Sequence, residues 1–218
     1  MEVELGFRLI FLNLCVLIYS IRRYYGVKIQ SLTKRISRSE QWAHKIEYEG
    51  RFSVIFRTVL SPVWVIALVL FFVSPTWMAW SSLPFPMWLR SGGMCLGIAC
   101  LPFLVWIQRT LGNHWSVHLK LREDHELVTD GPYKRIRHPM YVVLFLFIVA
   151  VGLVTASLLI AILNVLLIIV FYSRVGKEEK MMLERFGNEY RDYTQRTGRF
   201  LPAIRTKRTK TEKNCVNT

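Results

Sequence analysis

From Pro139 to Ser173 not one residue is charged. The run begins at GPYKRIRH (131–138) and ends at RVGKEE (174–179). The hydrocarbon core of a bilayer is about 30 Å thick and takes roughly 20 apolar residues as a helix. The run is therefore long enough to cross once and return, with the uncharged VGLVTAS at its midpoint as the turn. A hairpin of that kind has both ends on one side, so two charged clusters far apart in the chain must meet there. That requirement constrains the fold more than any other feature.

Three further apolar blocks precede the hairpin. The spans read as 5–21, 55–73, 87–107, 139–155 and 157–174. Helices satisfy their own backbone groups in lipid, so the expected fold is an all-α integral membrane protein with five transmembrane helices. A 17-residue span is about 25 Å long, a little short of the bilayer core. The 29 Lys and Arg residues, all but Arg8 and Arg90, fall between Arg22 and Arg57, between Arg109 and Arg137, or from Arg174 onward. Basic residues collect in cytosolic loops, which puts the N-terminus outside and the C-terminus in the cytosol. SPTWMAWSSLPFP, uncharged and rich in Trp, is then an outer turn with aromatic anchors. Arg8 stands one helical turn from Glu4 and can pair with it.

The formal net charge of +14 is thus explained by topology. With no helix-turn-helix, zinc-finger or RNA-binding pattern, no nucleic-acid partner is expected. No basic segment precedes the first apolar block and no small-residue cleavage site follows it, so it reads as a retained span. Cys15, Cys95, Cys100 and Cys215 lack metal-ligand spacing, and no metal site is expected; three lie in apolar segments as small hydrophobes. The terminal CVNT is a poor match to a prenylation box.

Locally, Pro139 fits the first helical position and His138 the capping position, with its ring projecting from the membrane surface. Asn164, mid-span, should face protein. Arg22 to Gly50 reads as an amphipathic interfacial segment carrying Ile29, Leu32, Ile36, Trp42 and Ile46. The last span continues as a helix to Gly187, and Asn188 to Arg199 holds a further short helix whose Tyr190 and Tyr193 pack on the charged end of the hairpin. Three regions follow: 1–110 with three membrane helices, 111–202 with the last two, and a basic tail, 203–218, expected to be disordered.

Arg174 lies one turn before Glu178 on the same helical face. The hairpin brings both toward His138, Met140 and Tyr141, with His125, Leu127, Val128 and Tyr133 upstream. Such a site offers an anion, cations and an aromatic wall. It fits a zwitterionic amino acid joined to an aromatic base, as in S-adenosyl-L-methionine. A charged flank of a membrane span and a solvated helix face remain alternative readings of the same residues.

LGNHWS, LVTDGPY, RHPMY, the paired Glu178 and Glu179, and FGNEYRDYTQRTGRFLP occur in that order over Leu111 to Pro202. Together they resemble the isoprenylcysteine carboxyl methyltransferase family, especially its short prokaryotic members. The resemblance implies a membrane methyltransferase with S-adenosyl-L-methionine enclosed at the cytosolic end of the last helices. His125, Glu126, Leu127 and Val128 resemble the cofactor-enclosing loop, and Tyr133 an adenosine contact. His138, Pro139, Met140 and Tyr141 resemble the segment around the methionine moiety. Glu178 resembles the residue for its amino group, and Arg174 the residue that orients the substrate carboxylate; these two are the candidate catalytic residues. Gly176 departs from the Pro often found there in short members. The implied partners are membrane lipids and a lipidated or membrane-partitioned substrate; the implied location is a prokaryotic cell membrane, with the site facing the cytosol. A phospholipid amine or small thiol as acceptor, a non-catalytic scaffold, and a sterol-reductase-like protein stay open as other readings.

Overall fold

The structure, a computed structural model, describes residues 2–31, 50–111 and 127–203. The long elements are α1 (Glu2–Ser31), α2 (Arg51–Val73), α3 (Met87–Leu111), α4 (Pro139–Thr155), α5 (Leu158–Phe186) and the short α6 (Asn188–Arg196). A helical turn, Pro75–Met78, runs into a 3-10 turn, Ala79–Ser81, and a second 3-10 turn spans Gly131–Lys134. Among the described residues extended pairing is limited to two isolated bridges, Ser82 with Ser157 and Ile136 with Gly198. The all-α expectation holds for these residues.

Among the described residues four helices are long and apolar enough to cross a membrane: Glu4–Lys28, Ser53–Val73, Met87–Leu111 and Leu158–Phe186. The fifth, Pro139–Thr155, has 17 residues and falls short of that length. Apolar side chains stand outward along the bundle; Val59, Ile66, Val165 and Ile169 are all more than half exposed. In water such a surface would aggregate, whereas lipid tails solvate it.

α3 and α4 make the closest pairing, through small residues. A Cβ on Gly93 would lie 2.6 Å from that of Leu153 and one on Gly97 3.7 Å from that of Ala150, both on α4; Gly97 also lets Leu14 of α1 come in, its Cδ2 2.8 Å from such a Cβ. Helices in lipid associate by such close approach, because lipid is as apolar as the side chains themselves. Asn164 faces protein, as expected for a mid-span amide. Its Oδ1 accepts from Trp64 Nε1 at 2.7 Å and its Nδ2 donates to the Ile148 carbonyl at 3.0 Å.

Two polar clusters mark the ends of the bundle. At one, Ala156 turns the hairpin with φ 45°, Leu83 N donates to its carbonyl, and the Ser81 and Ser157 hydroxyls meet at 2.9 Å. Here Arg90 holds both carboxylate oxygens of Glu4 at 2.9 Å while Arg8 Nε pairs with Oε1. At the other end, residues 131–138 meet 174–200.

α5 continues unbroken through Gly176, and no described atom comes within 4 Å of a Cβ built there. Gly187, with φ 53°, ends it where expected. α1 corrects the sequence reading. It runs on to Ser31, so 22–31 prolongs the first helix instead of beginning an interfacial segment. Charge ends an apolar run without ending a helix; no proline stands between Arg22 and Ser31 to stop it. The remainder of the expected interfacial segment, most of the loop after α3 and the basic tail lie outside the described residues.

Candidate functional site

The charged end is assembled from the entry to α4, the continuation of α5 and the segment after α6. Arg174 and Glu178 are one turn apart on α5, with Arg174 Nε 3.4 Å from Glu178 Oε1. Across the hairpin, Tyr141 donates its hydroxyl to Glu178 Oε1 at 2.8 Å, and His138 Nδ1 lies 3.8 Å from Oε2. Glu179 serves a different set. It takes Arg137 Nε at 3.1 Å and pairs with Arg199, and His138 Nε2 approaches it at 3.3 Å, off the axis of a hydrogen bond.

Main-chain pairing fixes the approach to α4. Arg137 N donates to the Gly198 carbonyl at 2.8 Å, His138 N to that of Arg199 at 3.1 Å, and Gly198 N to that of Arg135 at 3.1 Å. Arg137 Nη1 also reaches the carbonyl oxygens of Thr194, at 3.0 Å, and Thr197. The segment after α6 thereby lies across the end of the hairpin. Phe200 brings its ring within 6.1 Å of His138 and 5.8 Å of both Phe145 and Tyr172, an aromatic wall beside the carboxylates.

Tyr193 donates to the Tyr133 carbonyl at 2.7 Å, and both Tyr190 and Tyr193 are buried on the hairpin's end, as expected. Burial pushes the Tyr193 phenol up to about 12, against the opposing pull of Arg137. Burial also raises Tyr133, reinforced by Tyr193 and by the negative charge of Glu178. Both phenols stay neutral at physiological pH and act as hydrogen-bonding groups.

The structure thus brings together His138, Tyr141, Arg174 and Glu178, with Tyr133 within electrostatic reach of Glu178. One detail is corrected. His138 is 9% exposed and makes no side-chain cap, so its ring turns into the cluster instead of projecting outward. The physical reason is the pair of carboxylates, which offer the imidazole better partners than the end of α4. Pro139 is buried at the first position of α4, and Met140 packs on the hydrophobic core. Leu127 and Val128 are half-buried just before the 3-10 turn. His125 and Glu126 lie outside the described residues.

Sequence reasoning missed four participants. Arg137 finds Glu179 42 residues on, Arg199 finds it 20 residues back, and Gly198 joins Arg135 and Arg137 through main-chain bonds, and no local pattern announces them. Arg22 is the fourth: it reaches the cluster from α1, within electrostatic range of Tyr141 and Arg174. Its signal was legible, because it stands four residues after Ile18 on the face that buries Phe11, Leu14 and Ile18.

These features define a polytopic helical membrane protein with an ionised site at one end of its last hairpin. Residues 93–184 match the isoprenylcysteine carboxyl methyltransferase (ICMT) family. It is similar to the nickel-cobalt-cadmium resistance protein NccN of Alcaligenes xylosoxydans xylosoxydans, 38% identical over 96 residues that make up 44% of this chain and 45% of that protein. It is also similar to the protein-S-isoprenylcysteine O-methyltransferase of Schizosaccharomyces pombe, 31% identical over 114 residues, 52% of this chain and 48% of that one. Among solved structures, the eukaryotic intramembrane Ras methyltransferase ICMT matches with a TM-score of 0.46 and 25% identity, over 78% of this chain and 55% of that one. The chain spans under half the length of these two curated relatives.

Proposed function

We propose that the protein is an S-adenosyl-L-methionine-dependent methyltransferase that esterifies the carboxylate of an isoprenylcysteine-like, membrane-partitioned acceptor. The observation that carries the reading is the meeting of Glu178 with Tyr141, His138 and Arg174 at one end of the hairpin. The residues present fit the cofactor. Glu178 offers a carboxylate for an ammonium group. His138 stands at the positive end of α4, which favours a carboxylate. Tyr133, Leu127 and Val128 offer a half-buried aromatic and apolar surface. By resemblance His125 and Glu126 belong to the same cofactor-enclosing loop.

When bound, the cofactor supplies a methyl group activated on a sulfonium sulfur. A carboxylate acceptor is already anionic at neutral pH, so no side chain has to remove a proton. The task left to the protein is positioning, with reacting atoms roughly 3–3.5 Å apart and in line. Arg174 is placed to hold the acceptor carboxylate. Phe145, Tyr172 and Phe200 exclude water from the same side, which strips solvent from the nucleophilic oxygen. The acceptor's lipid part enters from the bilayer and the cofactor from the cytosol, which is the arrangement the placement of basic residues supports. The corresponding location is a prokaryotic cell membrane with the site facing inward.

The test is binding of labelled S-adenosyl-L-methionine to the purified full chain, followed by methylation assays with farnesylcysteine, phosphatidylethanolamine and methanethiol. Turnover of farnesylcysteine supports the acceptor. Turnover of either other compound alone overturns it and keeps the class. A folded protein that binds no cofactor overturns the class. Glu178→Gln should weaken cofactor binding by about tenfold or more, as expected for loss of a charge-assisted contact. Arg174→Ala should lower kcat/KM for the acceptor by about a hundredfold while changing cofactor affinity much less.

A further inference from the structure

α1 and α3 touch and then part. Leu14 of α1 comes in over Gly97, its Cδ2 2.8 Å from where a Cβ would stand. Toward the charged end of the bundle the same two helices enclose a cavity of about 410 Å³, walled by Leu17 and Ile21 of α1 and by Leu101, Val105 and Trp106 of α3. Pro102 is part of that wall and accounts for the parting. A proline inside a helix withholds the N–H that the carbonyl four residues back would take, and its ring pushes that carbonyl aside. Leu17, Pro102 and Trp106 are exposed, so the cavity opens sideways onto lipid.

Arg109 is the one charged side chain among the described residues that line it. It ends an uncharged stretch, Ser91 to Gln108, that is about 27 Å long as a helix. The guanidinium therefore stands at the edge of a hydrocarbon core about 30 Å thick. Trp106, one turn earlier, lies at the depth tryptophan favours. On α1, Lys28 follows Leu14, Leu17 and Ile21 along one helical face and is exposed at the same end. α3 has no acidic residue, and the two on α1, Glu2 and Glu4, lie at its far end.

We infer that this groove binds one anionic phospholipid, with an acyl chain between α1 and α3 and the headgroup phosphate on Arg109. An acyl chain in a bilayer is already among apolar neighbours, so the walls alone give it little reason to stay. The charge-assisted contact of guanidinium with phosphate supplies the preference. The bound chain in turn supplies the packing that α1 and α3 lack below Leu14. The inference stands on the groove and does not rest on the methyltransferase reading.

Full-length wild type, Arg109→Gln, Val105→Trp and a control at an exposed arginine of α6, Arg191→Gln, are titrated with dioleoylphosphatidylglycerol and dioleoylphosphatidylcholine in neutral detergent, and bound lipid is counted by native mass spectrometry. Wild type should bind phosphatidylglycerol about tenfold or more tighter than phosphatidylcholine, and its melting temperature should rise with the first lipid more than with the second. Arg109→Gln should bring phosphatidylglycerol down to the level of phosphatidylcholine. Val105→Trp, which fills the groove, should weaken both, and Arg191→Gln should behave as wild type. Equal binding of the two lipids by wild type, or a preference that survives in Arg109→Gln, overturns the inference.

Wild-type protein also gives a readout that needs no variant to fold. Phosphatidylglycerol with a diazirine in its acyl chain should crosslink to the peptides of Leu17 and Ile21 and of Leu101 and Val105, and unlabelled phosphatidylglycerol should suppress this more than phosphatidylcholine does. Crosslinks confined to other faces overturn the inference. So does displacement by N-acetyl-S-farnesylcysteine, which would make the groove a berth for the acceptor.

Discussion

A methyl group added to Gly198 would lie 1.8 Å from the carbonyl oxygen of Leu201, a separation no structure sustains. The main chain there must shift, and it carries the bonds that hold Arg135, Arg137 and His138. Gly198→Ala should therefore act on the site from outside it. Cofactor affinity should fall severalfold, with a melting temperature lower than that of wild type in the same detergent. An unchanged affinity would mean that the segment after α6 does not position His138. Tyr193→Phe is a milder probe of the same support. It removes one hydrogen bond, to the Tyr133 carbonyl, and should cost about 1 kcal/mol of stability. This layer was hardly legible in the sequence. Glu178 and Arg174 could be paired by their four-residue spacing alone, but the partners of Glu179, Arg137 and His138 on one side and Arg199 on the other, come from two separate segments.

At the scale of the element, a helical hairpin can be read from composition because lipid admits few alternatives. Once Pro139 to Ser173 is uncharged, helix is the answer the backbone allows. Where the apolar run ends, that argument ends with it. It offered no stopping point for α1, which continues past Arg22, and a correct one for α5 only because Gly187 ends that helix. Asn164 shows what a polar residue inside a span is for. It ties α2 to α5 through Trp64, and α5 to α4 through Ile148. Asn164→Leu would leave the Trp64 N–H in an apolar setting. Measured hydrogen bonds in membrane proteins average about 0.6 kcal/mol and reach about 1.7. A destabilisation of about 1–2 kcal/mol is expected in detergent-denaturation experiments, with cofactor affinity nearly unchanged because Asn164 lies far along α5 from Glu178. A loss of stability beyond that range would mean that the amide also sets the register of the hairpin.

For the whole molecule, the two basic residues left over by the charge count turn out to have a common explanation. Arg8 and Arg90 both pair with Glu4, at the end of the bundle opposite Glu178. Sharing that carboxylate, the two cations weigh less against the expected sidedness than a bare count makes them. Cysteine labelling tests it directly in intact cells, in a background with Cys215 replaced by serine. Ser82→Cys marks the exposed turn before α3, and Lys180→Cys marks an exposed position on α5 beyond the site, where the lysine side chain is 79% exposed. A membrane-impermeant maleimide should label Ser82→Cys from outside and reach Lys180→Cys only after permeabilisation. The reverse pattern would invert the protein and put the site on the wrong side for a cytosolic cofactor. Labelling of both from the same side would be worse for the structure, because the two positions stand at opposite ends of one bundle with an odd number of crossings, α3, α4 and α5, between them.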